Sequence, residues 1–310
     1  MVSLRYRALD SPVHRLSPFC KMAWVGSITL ISLFFQHPLY LGVFFLATIP
    51  AVLAARIWRQ WAVIMLFGIF VGANLVFINA VLIHHGSTVL VETTYEIPTL
   101  GTPRITLEAI FYGLMMTLRI LIVISAFAIF NFTIHPDDQL RAFIQLKLPY
   151  KSVLVTSMGT RFAPLLFEDL LRLGDAQRAR GQELDRGNLF HRTRKRAALI
   201  VPLLANALDR TVQTAEAMES RAFGQGTNRT FLKRLPVTRF DWLTITLAVS
   251  PLLWGILTAF VLHYGGFRYY ETLDPLGPRN GTEIALLAAL PLLSGTLVLL
   301  GALKRRWDLD

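Results

Sequence analysis

Six long apolar runs, Met22 to Phe35, Leu39 to Ala55, Trp61 to Ile83, Glu108 to Phe130, Trp242 to Tyr264 and Glu283 to Leu303, leave this 310-residue chain few folds to adopt. In hydrocarbon a single segment satisfies its own backbone only as a helix, so each run reads as a membrane span. The first two are short for full spans, and Gln36-His37-Pro38 makes a tight turn between them. The class is all-α and polytopic, with about six transmembrane helices. Met22 to Phe35 is followed at once by a second apolar run, which a cleavable signal peptide would not be.

Charge orients these spans. Arg5, Arg7, Arg15 and Lys21 precede the first, Arg56 and Arg59 follow the second, and Lys304-Arg305-Arg306 follows the last. Residues 84–107 hold one basic residue, Arg104, whereas residues 135–239 hold 18 Lys and Arg against 10 Asp and Glu. Basic loops stay in the cytoplasm, so both termini and the 135–239 block are expected inside and the chain in the cell membrane, crossing it several times. The expected organisation is a membrane part over 1–134, a cytoplasmic domain over 135–239 and a second membrane part over 240–310. The external loop contains Thr88-Val-Leu-Val-Glu-Thr-Thr-Tyr, whose strand-like composition predicts a small hairpin.

Within the cytoplasmic block the apolar stretch Ala197 to Ala205 is too short to cross a bilayer and must pack elsewhere. Read as a helix, Val201, Leu204, Ala205, Leu208, Val212, Ala215 and Met218 share one face, with Asp209, Gln213, Glu216 and Ser220 opposite. An earlier helix, Thr160 to Arg180, repeats the pattern with Phe162, Leu165, Leu166, Leu170 and Leu173 against Glu168, Asp169, Arg172 and Asp175. At 1.5 Å per residue it is about 32 Å long, enough to run along the inner membrane surface and present its tip at a distance. Each helix ends in an arginine between small residues: Ala179-Arg180-Gly181 and Ser220-Arg221-Ala222. Arginine in a last turn followed by glycine is also an ordinary helix stop. Two copies on successive helices of one basic block favour a matched pair of contact points, because small neighbours let a guanidinium enter an acidic groove.

Other chemistries are weaker. No Gly-x4-Gly-Lys-Ser/Thr loop is present to cradle phosphate, so energy for any transport comes from a partner. Asp175-Ala-Gln-Arg-Ala-Arg partly imitates the opening of the CDP-alcohol phosphotransferase motif, but Ala176 and Leu189 stand where its glycines belong, and the carboxylates for a metal pair are missing. No catalytic residues and no cofactor are assigned. His84 and His85 with Glu92 and Glu96 read as interfacial polar residues, and no metal site is assigned to them. Cys20 is the single cysteine, which excludes an internal disulfide and a thiolate metal cluster. Nothing here resembles a nucleic-acid module. Arg119, near the middle of the fourth run, must face protein or a water-filled crevice, and Asn74 and Asn79 read as hydrogen-bonding groups between helices.

The two arginine signatures, with Ser11-Pro-Val-His-Arg-Leu-Ser-Pro, Leu148-Pro-Tyr, Arg161-Phe-Ala-Pro-Leu-Leu, Ala176-Gln-Arg-Ala-Arg-Gly and Glu219-Ser-Arg-Ala-Phe-Gly, resemble the transmembrane T component of energy-coupling factor (ECF) transporters. The resemblance implies two long cytoplasmic coupling helices whose tips dock into two ATP-binding cassette ATPase subunits, with Arg180 and Arg221 as docking residues. It also implies a separate membrane S component that selects the vitamin or metal ion, so that the cargo is not written in this chain. The T component itself is then non-catalytic. Ser220 and Ala222 depart from a plain Ala-Arg-Gly, which puts the fit of the second tip in question. The competing reading is the permease subunit of another ATP-driven importer, recognised by a single Glu-Ala-Ala element; Ala215-Glu216-Ala217 is present without the pattern expected around it.

Overall fold

The computed structural model describes residues 9–83, 86, 88–92, 104–146, 149–182, 188–224, 238–262, 266 and 281–307. The chain divides into two compact units, Met1–Gln139 with Pro236–Asp310, and Leu140–Leu235. The first holds α1 (Pro12–Arg15), α2 (Pro18–Phe34), α3 (Pro38–Ala55), α4 (Trp58–Leu82), α5 (Leu107–Thr133), α10 (Arg239–Ile256, continued by a π turn to Val261) and α11 (Gly281–Trp307). The second holds α7 (Tyr150–Ala179), α8 (Leu189–Ala197) and α9 (Ile200–Ser220), and α6 (Pro136–Gln145) straddles the division.

The helices start where local chemistry permits. Pro12, Pro18 and Pro38 each take the first helical position, where a missing N–H costs nothing, and the side chains of Ser11, Ser17 and His37 accept from the first-turn N–H groups of His14, Cys20 and Leu39. Thr238 and Asp241 form a reciprocal capping box that opens α10. The expected hairpin is present: β1 (Val89–Glu92) pairs antiparallel with β2 (Arg104–Thr106). Among the described residues four helices, Pro38–Ala55, Trp58–Leu82, Leu107–Thr133 and Arg239–Val261, are long and apolar enough to cross a membrane. The apolar α2 has 17 residues, and α11 extends over 27.

Arg119 explains how the short α2 can end inside the membrane unit. Its guanidinium donates to the carbonyl of Phe35, the C-cap of α2, at 2.8 Å, so the cation faces protein and closes a helix end. Phe35 itself is fully buried, stacked 4.8 Å from Tyr40 and 6.0 Å from Trp254. Arg119→Met would leave that carbonyl unpaired in an apolar setting, a loss of about 1–3 kcal/mol. The expected outcome is a lower Tm of the purified protein in detergent; an unchanged Tm would show that the capping bond contributes nothing.

The other end of the unit is tied by two lysines. Lys21, expected to precede the first span, instead lies within α2 and is buried; its Nζ donates to the carbonyls of His14 at 3.2 Å and Thr133 at 2.8 Å. Thr133 closes α5, so Lys21 caps that helix where the chain leaves for α6. Lys304 pairs with the buried Asp241 at 3.0 Å, fastening the start of α10 to the end of α11.

Helices α4 and α5 meet on glycine. A Cβ at Gly113 would stand 2.9 Å from the Cα of Val76, one at Gly68 would stand 2.8 Å from a methyl of Leu121, and one at Gly72 would overlap Thr117. The Thr117 hydroxyl shares its proton between the Gly72 carbonyl across the seam at 3.1 Å and the Gly113 carbonyl of its own helix at 2.9 Å. Asn74 and Asn79 do not bridge helices as expected: they donate to Phe70 and Leu75 of their own helix, at 3.0 and 2.9 Å. With backbones this close, the small residues and a threonine carry the contact, and the outward face of α4, with Phe67, Phe70 and Phe77, stays exposed.

Candidate functional site

The two arginine signatures fold into the same local structure. Arg180 is the C-cap of α7 at φ −84°, ψ 10°, and Arg221 is the C-cap of α9 at φ −93°, ψ 16°. The next residue is left-handed in both, Gly181 at φ 81° and Ala222 at φ 55°. The closing bonds correspond: Gln182 N–H to the Gln177 carbonyl and Gly181 N–H to Arg178 at the first tip, Phe223 N–H to Met218 and Ala222 N–H to Glu219 at the second. Both are Schellman stops. The departure at Ala222 therefore leaves the turn intact, although a methyl in the left-handed region costs roughly 1 kcal/mol that glycine avoids.

Ala179, Arg180, Gly181, Ser220, Arg221 and Ala222 are all exposed. Among the described residues neither tip guanidinium has a hydrogen bond or an ion pair, whereas the neighbouring Arg178 is engaged by Asp175 at 3.1 Å. Arg180 and Arg221 are each held by a fixed helix end, with their donors unengaged by any described residue. The Phe223 ring beyond the second tip lies 6.3 Å from that of Tyr150, the first residue of α7. Arg180 is at the last turn of that 30-residue helix, so the two tips sit towards opposite ends of α7, whose axis is about 45 Å long.

Among the described residues one charged contact joins the two helices. Arg210 donates to Asp169 at 2.9 Å, with side chains 35% and 12% exposed respectively. The sequence placed Asp169 on the solvent face of its helix; it is buried instead, because the face of α7 turned inwards is the one bearing Phe162, Leu166, Asp169, Leu170 and Leu173. The corresponding stripe of α9 is Leu203, Ala207, Arg210, Thr214 and Met218, all half-buried. The more apolar stripe, Val201, Leu204, Leu208 and Val212, is exposed, and nothing in α9 is fully buried. A signal for the ion pair was present in the sequence: 169 and 210 carry opposite charges at the same 41-residue offset that separates the two tip arginines.

His84, His85 and Glu96 lie outside the described residues, as does the Glu92 side chain. Glu108, which starts α5, is buried and accepts from Thr88 N–H at 3.0 Å and from its hydroxyl, tying the hairpin to the helix.

A family model described as CbiQ, cobalt transport protein, matches residues 10–232. The energy-coupling factor transporter transmembrane protein EcfT of Staphylococcus aureus is 29% identical over 272 residues, covering 84% of this chain and 97% of that protein. That of Heliobacterium modesticaldum is 31% identical over 254 residues, 79% of this chain and 92% of the relative. That of Streptococcus thermophilus is 28% identical over 250 residues, again 92% of its own length. The family match takes in α1 to α9 with both tips, so the chain belongs to the EcfT/CbiQ family of multi-pass membrane proteins, the T components of energy-coupling factor transporters.

Proposed function

We propose that this chain is the non-catalytic coupling subunit of an ECF-type importer. Its tips, Ala179-Arg180-Gly181 and Ser220-Arg221-Ala222, dock into two ATP-binding cassette ATPase subunits that hydrolyse the ATP. Movement of that pair passes through α7 and α9 to a membrane S component, which carries the vitamin or transition-metal ion. The observation that carries this reading is the matched pair of exposed arginines on identical helix stops with no partner among the described residues. A helix stop alone calls for a left-handed residue and closing bonds, not for a guanidinium unengaged among the described residues at the end of each of two helices.

The open apolar stripe of α9 adds a second point of support. Val201, Leu204, Leu208 and Val212 are 72, 57, 65 and 54% exposed, and burying such a stripe against an S component or the bilayer contributes about 25 cal/mol per Å². Both termini and residues 135–239 are placed on the cytoplasmic side by the charge pattern, which divides the chain into membrane parts over 1–134 and 240–310. Affinity purification of the tagged chain from native membranes in mild detergent tests the reading. ATPase subunits and a small membrane protein are expected with it; recovery of the chain without any ATPase overturns the proposal.

A further inference from the structure

We propose that the Asp169–Arg210 ion pair is the pivot of the two long helices, a fixed point about which α7 and α9 turn so that both arginine tips move as equal arms. The inference rests on the reading that those tips engage the ATPases, and it adds how motion at one tip is matched by motion at the other.

Three observations carry it. Asp169 and Arg210 each stand eleven residues before their tip arginine, about 16 Å along either helix, so the contact divides the tip-bearing arms evenly. The pair is directional, a charge-assisted hydrogen bond of 2.9 Å with the carboxylate largely withdrawn from water. The half-buried residues flanking it include the apolar Leu166 and Leu170 on α7 and Leu203 and Ala207 on α9, while the hydroxyl of the half-buried Thr214 is taken up by the Arg210 carbonyl of its own helix. Apolar contacts set no register and let one helix slide along another, whereas a single buried polar contact fixes which residues face each other. A guanidinium–carboxylate bond also tolerates rotation about its own direction better than translation across it. The arrangement permits the angle between the helices to change while the crossing point stays put.

A structural role and a pivot role are separated by replacing the pair rather than breaking it. Removing one charge strands the other, but an apolar pair such as Asp169→Leu with Arg210→Met keeps helix contact and is often neutral for stability. Nitroxide labels at Ala176→Cys and Ala217→Cys, both exposed and each seven residues beyond the pivot, report the separation of the arms once Cys20 is replaced by alanine. Distances are read by pulsed electron resonance on the chain in nanodiscs, alone and with its ATPases, nucleotide-free and with Mg-ATP. The native pair is expected to give one narrow distribution per nucleotide state. The apolar pair should still copurify with ATPase yet give a broad distribution that ATP no longer shifts, and the swapped pair Asp169→Arg/Arg210→Asp should restore both the narrow width and most of the shift.

A native-width distribution with a full ATP-dependent shift in the apolar pair overturns the pivot. If the native chain retains no ATPase, the docking reading fails instead, and the width measured on the chain alone still decides whether the pair fixes the crossing.

Discussion

Replacing Arg180 and Arg221 together by alanine is expected to strip the chain of its ATPase subunits while leaving its own fold unchanged. Both side chains are exposed and unengaged among the described residues, so no contact among those residues is lost. In a docked complex each guanidinium would be desolvated against a carboxylate or backbone carbonyls, and truncating one member of such a pair costs about 2–5 kcal/mol, roughly 30-fold to several-thousand-fold in Kd. Two attachments on one scaffold reinforce each other through effective concentration, so each single variant should weaken ATPase recovery and the double variant should abolish it, with loss of transport. The measurement is the ATPase-to-chain ratio after affinity purification, alongside the Tm of the isolated chain. Arg180→Lys and Arg221→Lys test the planar fork: a point charge cannot reproduce bidentate bonding, so partial loss is expected. Gly181→Ala serves as a control, because Ala222 already holds the same left-handed turn with a methyl group. Native ATPase recovery with the double alanine variant would reduce both signatures to helix stops.

The contrast between what the sequence disclosed and what it hid follows from the kind of information each contact needs. Span positions depend on the run of apolar residues alone, and the helices fall where those runs are. The strand at Val89–Glu92 is equally local. The tips were legible too, because a last-turn arginine followed by a small residue is a short-range pattern that recurs. Asp169 was misassigned because the usual rule, that the apolar side of an amphipathic helix faces its own protein, fails for α9, whose more apolar stripe is left open. Arg119 could be placed against protein from the cost of a charge in lipid, but its acceptor, the Phe35 carbonyl 84 residues away, required the fold. Asn74 and Asn79 were expected to join helices because polar residues in a span need partners; the carbonyl one turn back in their own helix met that need.

The α4–α5 contact makes the same point with the largest expected effect on folding. Gly113→Leu should prevent accumulation of folded protein, because the added Cβ alone would meet the Val76 Cα at 2.9 Å, and a main-chain atom cannot rotate aside as a side chain can. The helices would have to separate. In lipid there is no hydrophobic gain to hold them, since acyl chains are as apolar as leucine, and association depends on close packing and interhelical hydrogen bonds. Separation also breaks the Thr117 bond to the Gly72 carbonyl, worth about 0.6 kcal/mol by the average for such bonds, on top of roughly 1–3 kcal/mol or more for overpacking. Gly42→Leu in α3 is the matched control: nothing lies within 4 Å of its Cβ position, so the added Cβ meets no main-chain atom there. Fluorescence-detected size exclusion of tagged protein from membranes should give a single symmetric peak for Gly42→Leu and aggregate for Gly113→Leu. Thr117→Val, which keeps the shape and removes the donor, should fall between them with a small loss of Tm. A symmetric peak and native Tm for Gly113→Leu would mean that α4 is held by contacts other than the glycine seam, and the close approach of these two helices would then be incidental to the stability of the membrane unit.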